Sequence, residues 1–149
     1  MSRKWAALAS SLVVALFVAG LSWGDDKEDS PLLKIMKQVK TENAAVQKGI
    51  RNAANYKKSQ AELPKTCEKM VKLLTDSKPL GKSAVEGPHN EKKKTIDDYN
   101  KLLEDTKKEL TTFCGLVAKT DTTQAQAKDG FKAVTKSCTA CHDLFRVEE

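Results

Sequence analysis

A short segment near the end of the chain combines two cysteines and a histidine at a spacing that suits one cofactor. Cys138 and Cys141 are separated by two residues, and His142 follows at once. Two thiols about one helical turn apart can reach the two vinyl groups on one edge of a porphyrin. The adjacent imidazole then lies under the iron as its proximal ligand. The spacing therefore predicts one haem c, attached covalently through Cys138 and Cys141, with His142 bound to the metal.

Other types of site also use a Cys-x-x-Cys segment. A thioredoxin-like dithiol begins a helix that follows a strand, and the sequence predicts no such strand. A zinc site needs four ligands, and the only other histidine is His89 in a distant predicted loop. A haem-free helical binding module, with Cys138 and Cys141 joined in a disulfide, stays open as an alternative. Paired carboxylates, Ser-His-Asp residues and phosphate-binding glycines do not occur as a recognisable set, so no enzyme is predicted.

The N-terminal residues have the pattern of an export signal. Arg3 and Lys4 precede an apolar run over residues 6–19, and small residues stand at Ser22 and Gly24. This order is typical of a signal peptide cleaved near Gly24. The apolar run is shorter than the ~20 residues needed to cross a bilayer, so no stable membrane anchor is expected after cleavage.

Cleavage divides the chain into a signal peptide, 1–24, and one domain, 25–149, which we expect in the periplasm. The net charge of +6 falls to +4 when Arg3 and Lys4 are removed. Lysines are spread along the predicted helices without interleaved aromatic residues, which argues against nucleic-acid binding and favours acidic redox partner proteins.

Hydrophobic periodicity predicts helices throughout the mature domain and no strand. The first helix should begin at Asp29 or Ser30, with Pro31 in its first turn, and its apolar stripe continues to Ala53. The second has Pro64 in its first turn. Residues 78–90, rich in glycine and proline, predict a loop.

A third helix is expected from about Glu91 to Ala118, and Asp121 with Gln124 resembles a capping box for a fourth. Four amphipathic helices with mostly short connections predict an all-α fold, an antiparallel up-down-up-down four-helix bundle after the signal peptide.

The position of the haem motif resembles that of a known family. The segment from Cys138 to Arg146, only a few residues from the chain end, is similar to the motif of the class II cytochromes c, the cytochrome c′ family. The resemblance implies a haem inside a four-helix bundle. It also implies that Phe145 packs near the haem and that Arg146 lies beside the proximal imidazole. For Arg146 the alternative is a residue at the helix C-terminus that interacts favourably with the helix dipole.

The same resemblance bears on the second axial ligand. Ile35-Met36-Lys37 looks similar to the end of the family's first-helix motif, although Leu32 and Leu33 replace its Arg-Gln. Met36 lies on the apolar stripe of the first helix, so we expect it to face the interior and bind the iron. Ordinary core packing of Met36 is the alternative, and Met70 is a rival ligand.

These features predict a one-electron carrier that is not an enzyme. If Met36 does not bind the iron, the family implies a five-coordinate protein that binds nitric oxide or carbon monoxide at an open distal face. Cys67 and Cys114 lie on consecutive predicted antiparallel helices, and in an oxidising compartment we expect them to form an intrachain disulfide. Whether the chain forms a homodimer stays open, with Tyr56, Tyr99 and the surface of the first helix as candidate interface residues.

Overall fold

The computed structural model describes residues 29–86 and 93–145, and these residues form helices and connecting turns with no strand. The all-helical prediction is therefore confirmed for the described part of the chain. In order, its elements are α1 (Pro31–Ile50), α2 (Ala53–Ser59), α3 (Leu63–Ser77), a 3-10 turn (Lys78–Leu80), α4 (Gly81–Val85), α5 (Ile96–Val117) and α6 (Gln124–Phe145). Among the described residues, no helix combines the length and apolar character needed to cross a membrane.

The start of α1 was predicted correctly, and its end was not. The Ser30 hydroxyl accepts a hydrogen bond from the Leu33 backbone N–H at 3.2 Å, which caps the helix ahead of Pro31. Helix α1 stops at Ile50 instead of continuing through Ala53. Asn52 is the reason, because its side-chain oxygen accepts from the Asn55 N–H at 2.8 Å and starts α2.

The loop predicted over residues 78–90 is wrong in its first half, where the 3-10 turn and α4 lie. A five-residue helix is too short for its periodicity to be visible, and its glycine and proline signals read as a loop. Helix α4 is held in place by packing, since Ala84 is buried and the backbone at Gly81 lies against the Tyr99 ring. Residues 87–92 lie outside the described part.

Both later helices begin a few residues away from their predicted starts. Helix α5 begins at Ile96 rather than Glu91, with a capping box in which Thr95 and Asp98 exchange hydrogen bonds. The capping box of α6 was also misplaced. The Thr123 N–H donates to the Gln126 side-chain oxygen at 2.8 Å, and Asp121 plays no part in it. Several Ser, Thr and Asp residues precede each helix, so the sequence offered competing caps.

The helices pack in chain order. Helix α1 packs extensively on α3, α3 on α5, and α5 on α6, whereas α1 and α6 touch only sparsely. The core is formed by buried apolar side chains from each of the long helices, including Val46, Cys67, Met70, Leu110, Phe113 and Val134. The sparse contact leaves a cleft between the first and the last long helix, and this cleft positions the candidate site.

Candidate functional site

Helix α6 presents the cysteine–histidine motif from its last turns. Cys138 and Cys141 are half-buried and pack against the core beside Val134 and Phe145, which are buried on the same side of the helix. His142 is exposed. The two thiols therefore lie along one side of α6 and the imidazole lies next to them, at the edge between core and solvent.

Burial sets the protonation state of the two thiols. Loss of solvent raises the pKa of Cys138, and the same effect, with a smaller contribution from Cys138, raises the pKa of Cys141 to about 11. Both groups are therefore neutral thiols at neutral pH, with little thiolate to react with oxidants or alkylating reagents.

The helical repeat shows which way His142 faces. Gln124 lies on the α1 side of α6, because its side-chain N–H donates to the Ile50 carbonyl at 2.7 Å. His142 follows Gln124 by eighteen residues, which is about five whole turns, so it projects from the same side. The imidazole thus lies on the α1 side of α6.

Met36 lies on the corresponding side of α1, beyond the residues that line the cleft. It is half-buried and packs against the core. Gln47 and Ile50 line the cleft, and Met36 precedes Gln47 by eleven residues, about three whole turns of α1. Met70, the rival ligand, is only 1% exposed on α3, a helix that packs on α1 and α5. It is a core side chain, and its helix has at most sparse contact with α6, which carries the imidazole.

Of Phe145 and Arg146, the two residues expected near the haem, only Phe145 lies within the described part of the chain. Phe145 is buried and makes an edge-to-face contact with Tyr99, with ring centroids 5.6 Å apart and planes at 85°. Arg146 lies outside the described residues, as do the whole predicted signal peptide and His89.

The cleft between α1 and α6 is a feature that the sequence analysis missed. Its volume is about 520 Å³, and its lining combines a floor of Ile50 and Phe131 with a rim of polar and positive side chains: Gln47, Arg51, Lys128, Lys132, Thr135 and Lys136. A signal was present in the sequence, because three of these lysines recur at intervals of four along α6. The position of Arg51 on the same rim could not be predicted, because Arg51 directly follows the unexpected end of α1.

The packing of α3 on α5 brings Cys67 and Cys114 into contact, and both are free thiols in this structure. Cys67 is fully buried on α3, Cys114 is half-buried on α5, and a side-chain hydrogen bond joins the two sulfurs. This bond and the burial of Cys67 raise the pKa of Cys67, whereas the hydrogen bond donated by Cys67 lowers the pKa of Cys114. Cys114 is thus the more readily ionised sulfur of the pair.

The two tyrosines considered for a dimer surface are in the core instead. Tyr56 is 5% exposed and Tyr99 is 3% exposed. An aromatic ring supplies a large area for burial, and here the core takes both rings. Neither side chain offers surface for a second subunit.

The residues around the cleft have donor chemistry that fits a haem. Two neutral thiols, an imidazole and a thioether are the side chains that covalent attachment and axial ligation require. By the helical repeat, the imidazole and the thioether lie on the facing sides of two sparsely packed helices. Comparisons with protein-family models, with curated proteins and with solved structures found no match to this chain.

Proposed function

We propose that this chain is an exported one-electron carrier with a single haem c, attached through Cys138 and Cys141 and ligated by His142 and Met36. The observation that carries the proposal is the common orientation of the two ligands. By the helical repeat, His142 lies on the side of α6 that faces α1, and Met36 lies on the side of α1 that faces α6. The two thiols lie beside the imidazole.

The proposal includes an up-down-up-down arrangement of α1, α3, α5 and α6. Two ring pairs support antiparallel packing of α5 and α6, because Phe113 lies 5.0 Å from Phe131 while Tyr99 lies 5.6 Å from Phe145. Two contacts support antiparallel packing of α3 and α5 as well. The Cys67 thiol is hydrogen-bonded to Cys114, and the Ser77 carbonyl accepts from the Tyr99 hydroxyl at 3.4 Å.

Antiparallel packing of α1 on α6 puts Met36 at the level of the motif. The Gln124–Ile50 hydrogen bond marks one point at which the two helices meet. Met36 precedes Ile50 by fourteen residues and Cys138 follows Gln124 by fourteen, so each lies about 21 Å along its helix from that point. This matching supports a thioether on one side of the iron and the His142 imidazole on the other.

Each residue then has a defined role. The sulfurs of Cys138 and Cys141 hold the cofactor covalently, and the core contacts of both side chains fix its edge against α6. His142 and Met36 close the two axial positions. A haem bound there would supply one-electron exchange between ferric and ferrous iron. No residue is assigned to bind or turn over a substrate, so the proposed role is transfer and not catalysis.

The compartment and the family belong to the same proposal. Export to the periplasm rests on the N-terminal pattern ending near Gly24, and the class II cytochromes c are proposed as relatives on the segment 138–146. Acidic redox proteins are the proposed partners, because the mature chain is basic.

Two measurements on the purified protein test the proposal. Its mass should exceed that of the mature polypeptide by one haem after denaturation, since thioether bonds survive unfolding. The ferrous spectrum should show sharp α and β bands that carbon monoxide leaves unchanged. A mass without haem would favour the helical module with a Cys138–Cys141 disulfide instead.

A second candidate function is gas binding, and one observation favours it. Leu32 and Val39 are half-buried apolar side chains on the same side of α1 as Met36. Either can cover the distal face of a five-coordinate haem, leaving a small apolar site for nitric oxide or carbon monoxide. A high-spin spectrum that shifts when carbon monoxide is added would select this function over electron transfer.

A further inference from the structure

We propose that the cleft between α1 and α6 is the docking surface for the acidic face of a redox partner protein. The inference deepens the proposed function and rests on it. It concerns residues outside the haem motif, namely the positive rim formed by Arg51, Lys128, Lys132 and Lys136.

The charge of this rim is the first argument. Within the described part of the chain, Lys132 forms an ion pair with Asp129 at 2.7 Å, and Lys128 also lies near enough to lower the pKa of that carboxyl. Four cations thus have one carboxylate among them, and the rim keeps an excess of positive charge. Many lysines elsewhere are matched by carboxylates, as in the pairs Lys72–Asp76 and Lys78–Glu104. Unmatched charge of one sign, gathered along a cleft, produces a positive potential that attracts and orients an acidic protein.

The build of the cleft is the second argument. Its floor is formed by two apolar side chains, Ile50 and Phe131, which are 5% and 4% exposed. The cations of its rim are exposed. Gln47 and Thr135 add hydrogen-bonding groups between them. An apolar centre within a polar, charged rim is the usual build of a protein–protein interface.

The location is the third argument. Thr135 lines the cleft and precedes His142 by seven residues, which is about two turns or ~10 Å along α6. A partner seated on the cleft is therefore next to the proposed iron site. Thr139, exposed and uncharged, lies between Lys136 and His142, and the first carboxylate after the rim is Asp143, next to the imidazole.

The binding experiment uses the isotope-labelled holoprotein in its ferrous state, with an oligoglutamate peptide as the probe. Amide shifts should concentrate at Gln47, Phe131 and Thr135. The double variant Lys128→Glu/Lys136→Glu should weaken binding by about tenfold or more. Its matched control, Lys101→Glu/Lys108→Glu on α5, makes the same change in net charge at two other exposed positions and should stay within about twofold of the parent protein.

Three results would overturn the inference. Equal weakening in the two double variants would mean attraction to net charge alone. Equivalent shifts from a single-stranded oligonucleotide would assign the cleft to a general polyanion. Shifts that occur only in haem-free Cys138→Ala/Cys141→Ala protein would mean that haem propionates occupy the rim. The readout itself needs no haem, so a haem-free mass would count against the electron carrier while the peptide still reports on the cleft.

An electron-transfer measurement links the surface to the proposed role. Oxidation of the ferrous protein by the ferricyanide anion should slow about tenfold in Lys128→Glu/Lys136→Glu and change little in the α5 control. A cationic cobalt–phenanthroline oxidant should show the opposite trend. If both oxidants react equally with all three proteins, electrons do not pass through this surface.

Discussion

At the scale of single residues, spacing and neighbourhood decide what each sulfur can do. The chain holds thiols in two different settings: Cys138 and Cys141 are one turn apart on one helix, whereas Cys67 meets Cys114 across two helices. The first arrangement suits a planar cofactor beside the helix, and the second suits a cross-link between helices. The motif and the proposed ligand Met36 could be picked out from spacing, an apolar stripe and a family resemblance. The cationic rim could not, because it depends on which side of α6 meets α1.

Replacing Met36 by alanine tests the ligand at this scale. Met36→Ala removes the proposed thioether ligand, so the ferrous protein should become high-spin and bind carbon monoxide. The measurement is the visible spectrum before and after addition of the gas.

Met70→Ala is the matched control, because it removes a second methionine from the core. It should lower the free energy of unfolding by about 2–5 kcal/mol and leave the spectrum low-spin. A spectrum that changes in Met70→Ala and not in Met36→Ala would reverse the assignment of the ligand.

At the scale of the helices, caps and packing set boundaries that periodicity alone could not. Periodicity predicted the long helices well, because an apolar stripe over several turns has few alternatives. It failed at Asn52, where one side chain starts a new helix, and over Gly81–Val85, where packing under Tyr99 holds a segment too short to show a period. Short-range caps compete with one another, and tertiary contacts decide between them.

The contact between α3 and α5 predicts that Cys67 and Cys114 form a disulfide in the exported protein. Cys114 has the lower pKa and is the more exposed sulfur, so it should attack an oxidised dithiol partner first. Cys67 then displaces the partner, which leaves with both electrons and both protons. Closing this loop should stabilise the fold by about 4 kcal/mol on the chain-entropy estimate.

Peptide mapping by mass spectrometry without reductant should find Cys67 joined to Cys114. The double variant Cys67→Ser/Cys114→Ser should unfold at lower denaturant concentration, and reductant should bring the parent protein toward it. Two freely alkylated thiols in exported protein would contradict the prediction.

Two glycines of neighbouring helices should respond in opposite directions to alanine. A methyl group at Gly115 on α5 would meet no atom within 4 Å, so Gly115→Ala should raise the free energy of unfolding by up to ~1 kcal/mol. A methyl group at Gly81 would lie 2.4 Å from the Tyr99 ring, so Gly81→Ala should destabilise by about 1–3 kcal/mol. Urea unfolding of the two variants measures the difference, and a stabilised Gly81→Ala would show that α4 is not packed under that ring.

At the scale of the whole molecule, α1, α3, α5 and α6 each pack extensively on the next long helix along the chain. Only the first and the last of them, α1 and α6, touch sparsely. Sequence patterns identify amphipathic helices without saying which pairs pack tightly, since every apolar stripe is able to pack on any other. The two sparsely packed helices are also the ones that carry Met36 and His142. A planar apolar cofactor held between Met36 and His142, beyond the cleft, would add contacts between α1 and α6.

This arrangement predicts that the proposed haem stabilises the molecule unevenly. In Cys138→Ala/Cys141→Ala, which cannot hold the haem covalently, amide hydrogen exchange should accelerate by about tenfold or more along α1 and the last turns of α6. Residues of α3 and α5 should stay protected longer, because each of these helices packs extensively on two neighbours. Exchange followed by mass spectrometry of peptides separates the two regions. The holoprotein provides the reference, and Gly115→Ala, altered away from the cleft, provides a control variant that should retain its protection in α1. Equal acceleration in all four long helices would mean that the haem stabilises the fold as a whole. It would also mean that the haem does not act mainly on the sparse contact between α1 and α6.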